Sequence, residues 1–190
     1  MNSTFLSNII KAGYCVFPCD RNKKPLTEHS EKTIALAFEY TNALLADDRI
    51  HWQRAIYYNN AILCGEINKL LVVDIDRKNG GIYQWNELLK IHNNGLDIKT
   101  FKVRTPSGGV HYYFKTNEET INISTHFSLR LLSNFLSGID LLANNGYALL
   151  PYSMNTNNIQ YLPYKGSLIM LLNKELPELP DWLWKELKKQ

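Results

Sequence analysis

Cysteine is scarce in this 190-residue chain, which carries only Cys15, Cys19 and Cys64. Three thiols cannot pair into a disulfide framework, and no second Cys/His pair follows Cys15 and Cys19 at zinc-ligand spacing. Free thiols in a reducing cytoplasm are therefore expected, and a cytoplasmic location with them. Long apolar runs are missing too. None approaches the roughly 20 residues that span a bilayer, so no membrane association is expected. The opening MNSTFLSNIIKAG lacks the basic start and small-residue cleavage site of a secretory signal. Its Phe5, Ile9 and Ile10 predict a short amphipathic helix instead. Nor is charge of one sign in excess: the net charge of +3 rules out bulk polycation behaviour and leaves nucleic-acid contact to local basic patches. What remains is 45% hydrophobic and 21% charged, the mix of one ordinary domain or of two small lobes sharing a core.

Along the chain, GYCVFPCD reads as a strand and RNKKPLTEHS as a polar loop with a lysine pair before Pro25. Residues 30 to 47 read as a helix, and AILCGE as a short strand closing at Gly65. KLLVVDID is the clearest strand, its leucines and valines suiting burial on both faces. RKNGG is a turn, and IYQWNELLKIH a helix with Ile82, Trp85, Leu88 and Leu89 on one side. TFKVRT, PSGG and VHYYFK predict strand, turn and strand. SGIDLLANNGYALLPYS repeats that form, with strands over Ile139 to Leu142 and Tyr147 to Leu150 around an Asn145-Gly146 turn. The tail LPDWLWKELKKQ predicts a helix capped by Asp181. Its Trp182 and Trp184, with Lys185, Lys188 and Lys189, either dock a partner or pack on the domain. Mixed helices and adjacent strands favour an α+β domain with a mainly antiparallel sheet.

Polar residues interrupt this pattern at three places. Side chains alternate along a strand, so Asp74 and Asp76 share a face, with Cα atoms roughly 6.5–7 Å apart. Such a pair can converge on a magnesium-like ion about 2.0–2.1 Å from each oxygen, or it can mark a solvated strand end. The glycines of RTPSGGVHYYF can expose backbone amides to a phosphate, with His111 on the strand leaving the turn. A plain hairpin followed by a core histidine reads equally well. Asp140 stands in an otherwise apolar strand, where a lone acid is costly unless paired or bound to metal.

LLVVDIDRKNGG, TPSGGVHYYF and GIDLLANNGYALLPYS, in that order, resemble the prim-pol family of the archaeo-eukaryotic primase superfamily. YCVFPCDRNKKPL and HWQRAIYYNNAILCGE add to the likeness, which runs from about Gly13 to Tyr161. The resemblance implies a DNA primase/polymerase: an RRM-like, mainly antiparallel catalytic core (about 66–170) joined to a smaller N-terminal α/β unit (about 1–65). Residues 1–175 would form the catalytic domain. Residues 176–190 would be a C-terminal helix leading to a further domain, with a helicase domain or subunit as partner. By motif, Asp74, Asp76 and Asp140 would hold Mg2+ or Mn2+ in a two-metal site, with His111 the fourth catalytic residue. Ser107, Gly108, Gly109, His111 and Lys24 would meet a dNTP or rNTP, and Lys23, Lys102 and Arg104 the single-stranded DNA template. The setting would be plasmid, phage or viral replication.

Many relatives carry a basic residue just after the third acid, where this chain has Leu141 and Leu142. Many also have Pro-Pro-Ser where it has Pro151, Tyr152 and Ser153. Two other functions fit parts of the pattern. A nucleotide-sugar transferase also uses Asp-x-Asp, but that does not explain the Ser-Gly-Gly-Val-His turn or Asp140. A catalytically inactive replication module would bind single strands through Tyr112, Tyr113 and Trp85.

Overall fold

The computed structural model describes residues 2–26, 33–123, 138–164 and 168–188. Six helices and eight strands are described: α1 Ser3–Lys11, β1 Val16–Cys19, α2 Thr33–Leu45, α3 Arg49–Tyr57, β2 Asn59–Leu63, β3 Leu70–Ile75, α4 Gly81–Asn93, β4 Lys102–Arg104, β5 Val110–Lys115, β6 Ile139–Leu142, β7 Tyr147–Leu149, β8 Leu162–Tyr164, α5 Leu168–Leu172 and α6 Asp181–Lys188. The first three residues of the helix expected over 30–47 lie outside the described residues, as do the tail's Lys189 and Gln190.

The larger sheet has the order β6-β3-β5-β4-β8, and every neighbouring pair is antiparallel. β3 and β4 are joined through α4 while β5 lies between them, the split βαβ arrangement of RRM-like and ferredoxin-like sheets. The expected α+β architecture is therefore present. β3 is central because its four leading residues, Leu70 to Val73, belong out of water on both faces, and each is at most 1% exposed.

One face of this sheet, with Leu71, Val73, Ile75, Phe114 and Leu141, packs on Trp85, Leu88 and Leu89 of α4 and Leu183 of α6. The opposite face, with Leu70, Val72, Val103 and Tyr113, shares a core with α1, α2 and a second sheet of order β1-β2-β7. Strand alternation thus sends Asp74, in step with Leu70 and Val72, towards the smaller sheet.

Two expectations need correction. β6 and β7 do not form a hairpin: β6 pairs with β3, and β7 pairs with β2 in the other sheet. The Asn145-Gly146 turn carries the chain from one sheet to the other, so a boundary near residue 65 does not separate them. Asp181 is the first residue of α6 and not its cap, since the Pro180 carbonyl accepts the Trp184 N–H at 2.9 Å. The tail tryptophans pack on the α4 side of the large sheet, with Trp182 5.9 Å from Trp85 and stacked 5.1 Å from His92.

Leu183→Ala is expected to cost about 2–5 kcal/mol, because Leu183 is fully buried beneath α6. A urea midpoint equal to the wild type would show that α6 lies outside the cooperative core.

Candidate active site

The register of three strands builds the site. Asp74 on β3 lies directly opposite His111 on β5 and directly opposite Asp140 on β6. One row across the sheet therefore reads Asp140, Asp74, His111. These three line a depression of about 240 Å3 with Asp76, Lys23, Lys78, Thr105 and Ser107. The sequence-expected acids, histidine and serine are thus brought to one place.

Asp76 follows the end of β3 and is anchored by its backbone, whose N–H donates to the Gly138 carbonyl at 2.7 Å. That contact exists because α4 begins at Gly81, where a Cβ would meet the Gly138 oxygen at 2.0 Å and the Asp76 oxygen at 2.7 Å. The second glycine of RKNGG therefore serves close approach between segments, bringing the neighbourhoods of Asp76 and Asp140 together. The Asp76 carboxylate accepts from the Lys78 N–H at 3.0 Å and from Asn79 Nδ2 at 2.8 Å, bracing the turn.

His111 is buried at 4% exposure, with its Nε2 3.5 Å from Asp74 Oδ1. Burial pushes the imidazole below its ordinary pKa range, Asp74 opposes that, and the nearby Lys23 charge adds to the lowering. The balance favours the neutral ring. Its Nδ1 is buried without a partner among the described residues, as is the Tyr113 hydroxyl. The Tyr161 ring lies 5.8 Å from the imidazole.

The phosphate-turn reading changes in detail. Gly108 N–H donates to the Thr105 carbonyl and Gly109 N–H to Thr105 Oγ1, each at 3.0 Å. Both amides are already satisfied and do not await a phosphate. Gly109 is required because a Cβ there would sit 2.3 Å from the Ile75 carbonyl. Ser107, exposed at the rim with its hydroxyl 3.0 Å from Thr105 Oγ1, is the turn's polar contribution to the pocket. Thr105 was missed in the sequence, although a threonine opening a Thr-Pro-Ser-Gly turn is a recognisable side-chain-to-backbone signal.

The expected basic residues separate. Lys23 lines the acidic pocket. Lys24 is exposed but does not line it; its backbone N–H donates to Asp20 Oδ1. Lys102 is turned inward. It is 4% exposed, with Nζ 2.5 Å from Asp97 Oδ2 and the Tyr112 ring beneath it. Arg104 is exposed on a different groove with Arg77, Gly108 and Tyr164.

The fold and site define a class, an α+β domain with a split βαβ sheet and an acidic pocket at the end of its central strand, a scaffold that carries many unrelated activities. The particular family follows from a family model, described as the N-terminal domain of bifunctional DNA primase/polymerases, which matches residues 7–182. The chain belongs to that family, whose general activity is DNA primase or polymerase nucleotidyl transfer on a DNA template. Comparison with curated proteins gives no significant match. Among the described residues, no helix is long and apolar enough to cross a membrane.

Thr105→Val should leave the buried Gly109 N–H unsatisfied and lower stability by about 1–3 kcal/mol. Thr105→Ser should restore most of it. Denaturant titration of both variants checks this, and equal midpoints for valine and wild type would refute the turn's dependence on the hydroxyl.

Proposed function

We propose that the acidic pocket is the catalytic centre for template-directed nucleotidyl transfer, making or extending primers on single-stranded DNA in plasmid, phage or viral-type replication. The carrying observation is the row Asp140–Asp74–His111, with Asp76 and Ser107 at the same pocket.

The donor set suits divalent cations. All three acids offer oxygen, the preference of Mg2+ and Mn2+. Asp74 and Asp140 stand directly opposite each other, a like-charge pair that costs stability until a cation offsets it. The Asp140 carboxylate has no hydrogen bond or ion pair among the described residues, its pairing with β3 being through the backbone. As placed, no three acidic, histidine or cysteine side chains among the described residues form a ready metal cluster. The Asp76 carboxylate, held by its own turn, would exchange those bonds for an ion. Asp74, Asp76 and Asp140 would hold Mg2+ or Mn2+, which when bound acidifies an attacking 3′-hydroxyl and stabilises departing pyrophosphate.

The remaining residues orient the triphosphate of a dNTP or rNTP. His111 donates a hydrogen bond from its neutral ring, Ser107 offers its hydroxyl at the rim, and Lys23 supplies positive charge on the facing wall. Tyr112, Tyr113 and Trp85, the aromatics a silent binding module would need on its surface, are 6%, 0% and 2% exposed. Asp140 in the same row goes beyond what a nucleotide-sugar transferase requires.

Asp74→Ala combined with Asp76→Ala is expected to abolish primer synthesis on unprimed single strands while leaving the unfolding midpoint near the wild type. Undiminished incorporation of labelled dNTPs by the purified double variant would dismiss the assignment, and hydrolysis of UDP-sugars in its place would favour the transferase. His111→Ala should weaken nucleotide binding roughly ten- to a hundredfold and template binding far less. Equal losses in the two titrations would count against a triphosphate role.

A further inference from the structure

A second groove, sharing no lining residue with the acidic pocket, lies between the segment after β1 and the corner where α3 meets β2. It encloses about 710 Å3, and its lining includes Arg21, Tyr57, Tyr58, Asn59, Tyr152 and Met154. We propose that this groove binds single-stranded nucleic acid, with unpaired bases stacked on Tyr57 and Tyr58 and a backbone phosphate held by Arg21. The proposal rests on the catalytic reading above and supplies that reaction with a template path.

Tyr57 is 82% exposed, more than any other large hydrophobic side chain among the described residues. Its centroid lies 5.0 Å from that of Tyr58, with the rings perpendicular, so the two rings present aromatic faces in different directions. Arg21 has no carboxylate partner among the described residues; its Nη1 donates to Asn158 Oδ1 at 2.5 Å. The one acid lining the groove, Asp20, is turned onto its own loop, accepting from the Asn22 and Lys24 N–H groups at 2.8 Å each. An aromatic wall with an unpaired cation and a self-satisfied acid is the chemistry that holds single strands without reading sequence.

The groove is also rigid. Asn59, 6% exposed, donates from Nδ2 to the Asp20 carbonyl at 3.1 Å and to the Met154 carbonyl at 2.6 Å. Its Oδ1 accepts the Met154 N–H at 2.7 Å, so one side chain ties both walls. The loop is shared with the catalytic pocket: Arg21 lines the groove, and Lys23, two residues on, lines the pocket. The Tyr147 hydroxyl donates to the Lys23 carbonyl at 2.9 Å and fixes the loop between them. A strand lying on Tyr57 and Arg21 is therefore led towards the acids. Of the large sheet's rings, Tyr112 and Tyr113 are buried, and Tyr164 on the edge strand β8 is 37% exposed.

Fluorescence anisotropy with labelled oligo-dT, performed in chelator so that binding is separated from synthesis, tests the groove. Tyr57→Ala should bind roughly five- to 150-fold more weakly, whereas Tyr83→Ala, an exposed tyrosine on α4, should match the wild type. Arg21→Ala should flatten the plot of log affinity against log salt by about 0.7. Wild-type affinity and slope in the Tyr57 and Arg21 variants, an equal loss in Tyr83→Ala, or losses confined to free nucleotide would overturn the proposal. Primer synthesis by Asp74→Ala protein would instead overturn the catalytic reading, so the two failures are told apart.

Discussion

The alignment of β3 with its two neighbours is the constraint on which the site depends. Side chains alternate with a period of two, so a slip of one residue would exchange Asp74 for Val73 or Ile75 and turn the acid into the α4 core. That slip is opposed by the whole apolar content of β3, whose two faces are sealed by different cores. Catalytic geometry is thus held by hydrophobic patterning several residues away. The repulsion between Asp74 and Asp140 is tolerated because it is a small term beside the burial of Leu70 to Val73.

Much of this was legible in the amino-acid order. The run LLVVDID marks a strand that ends in acids, because no other element buries four consecutive aliphatics and then turns polar at alternate positions. The α+β class followed from the mixture of helical and strand periods. The partner of each strand did not. Hairpin chemistry at Asn145-Gly146 is local, but whether β7 continues beside β6 or crosses to β2 depends on packing between sheets. Turn residues report the bend and are silent about the sheet that receives the chain.

The site residues divide along the same line. Asp74, Asp76, His111 and Asp140 were found by strand parity and residue type, both of which survive folding unchanged. Lys102 and the two turn amides have partners in the fold that composition hides. Asp97 claims the Lys102 ammonium, and Thr105 claims the glycine N–H groups. A lysine in a sequence is a free charge only until the fold buries it against a carboxylate, as Lys102 is buried against the exposed Asp97. Likewise a glycine amide is available to phosphate only if the preceding residues lack an oxygen to take it.

The smaller sheet has a functional consequence that its sequence does not announce. β7 enters it directly after β6, so the strand carrying Asp140 and the strand carrying Tyr147 are separated by only the Ala143–Gly146 turn. Tyr147 then holds the Lys23 carbonyl, and Asn59 on the neighbouring strand holds that of Asp20. Residues 20–23 are accordingly tied at two points to the smaller sheet while Lys23 lines the pocket of the larger one. Movement of either sheet would carry Lys23 relative to Asp74 and Arg21 relative to Tyr57 together. A domain that aligns a strand with a triphosphate needs that coupling, because a template displaced from its nucleotide by a single base step is copied wrongly or not at all.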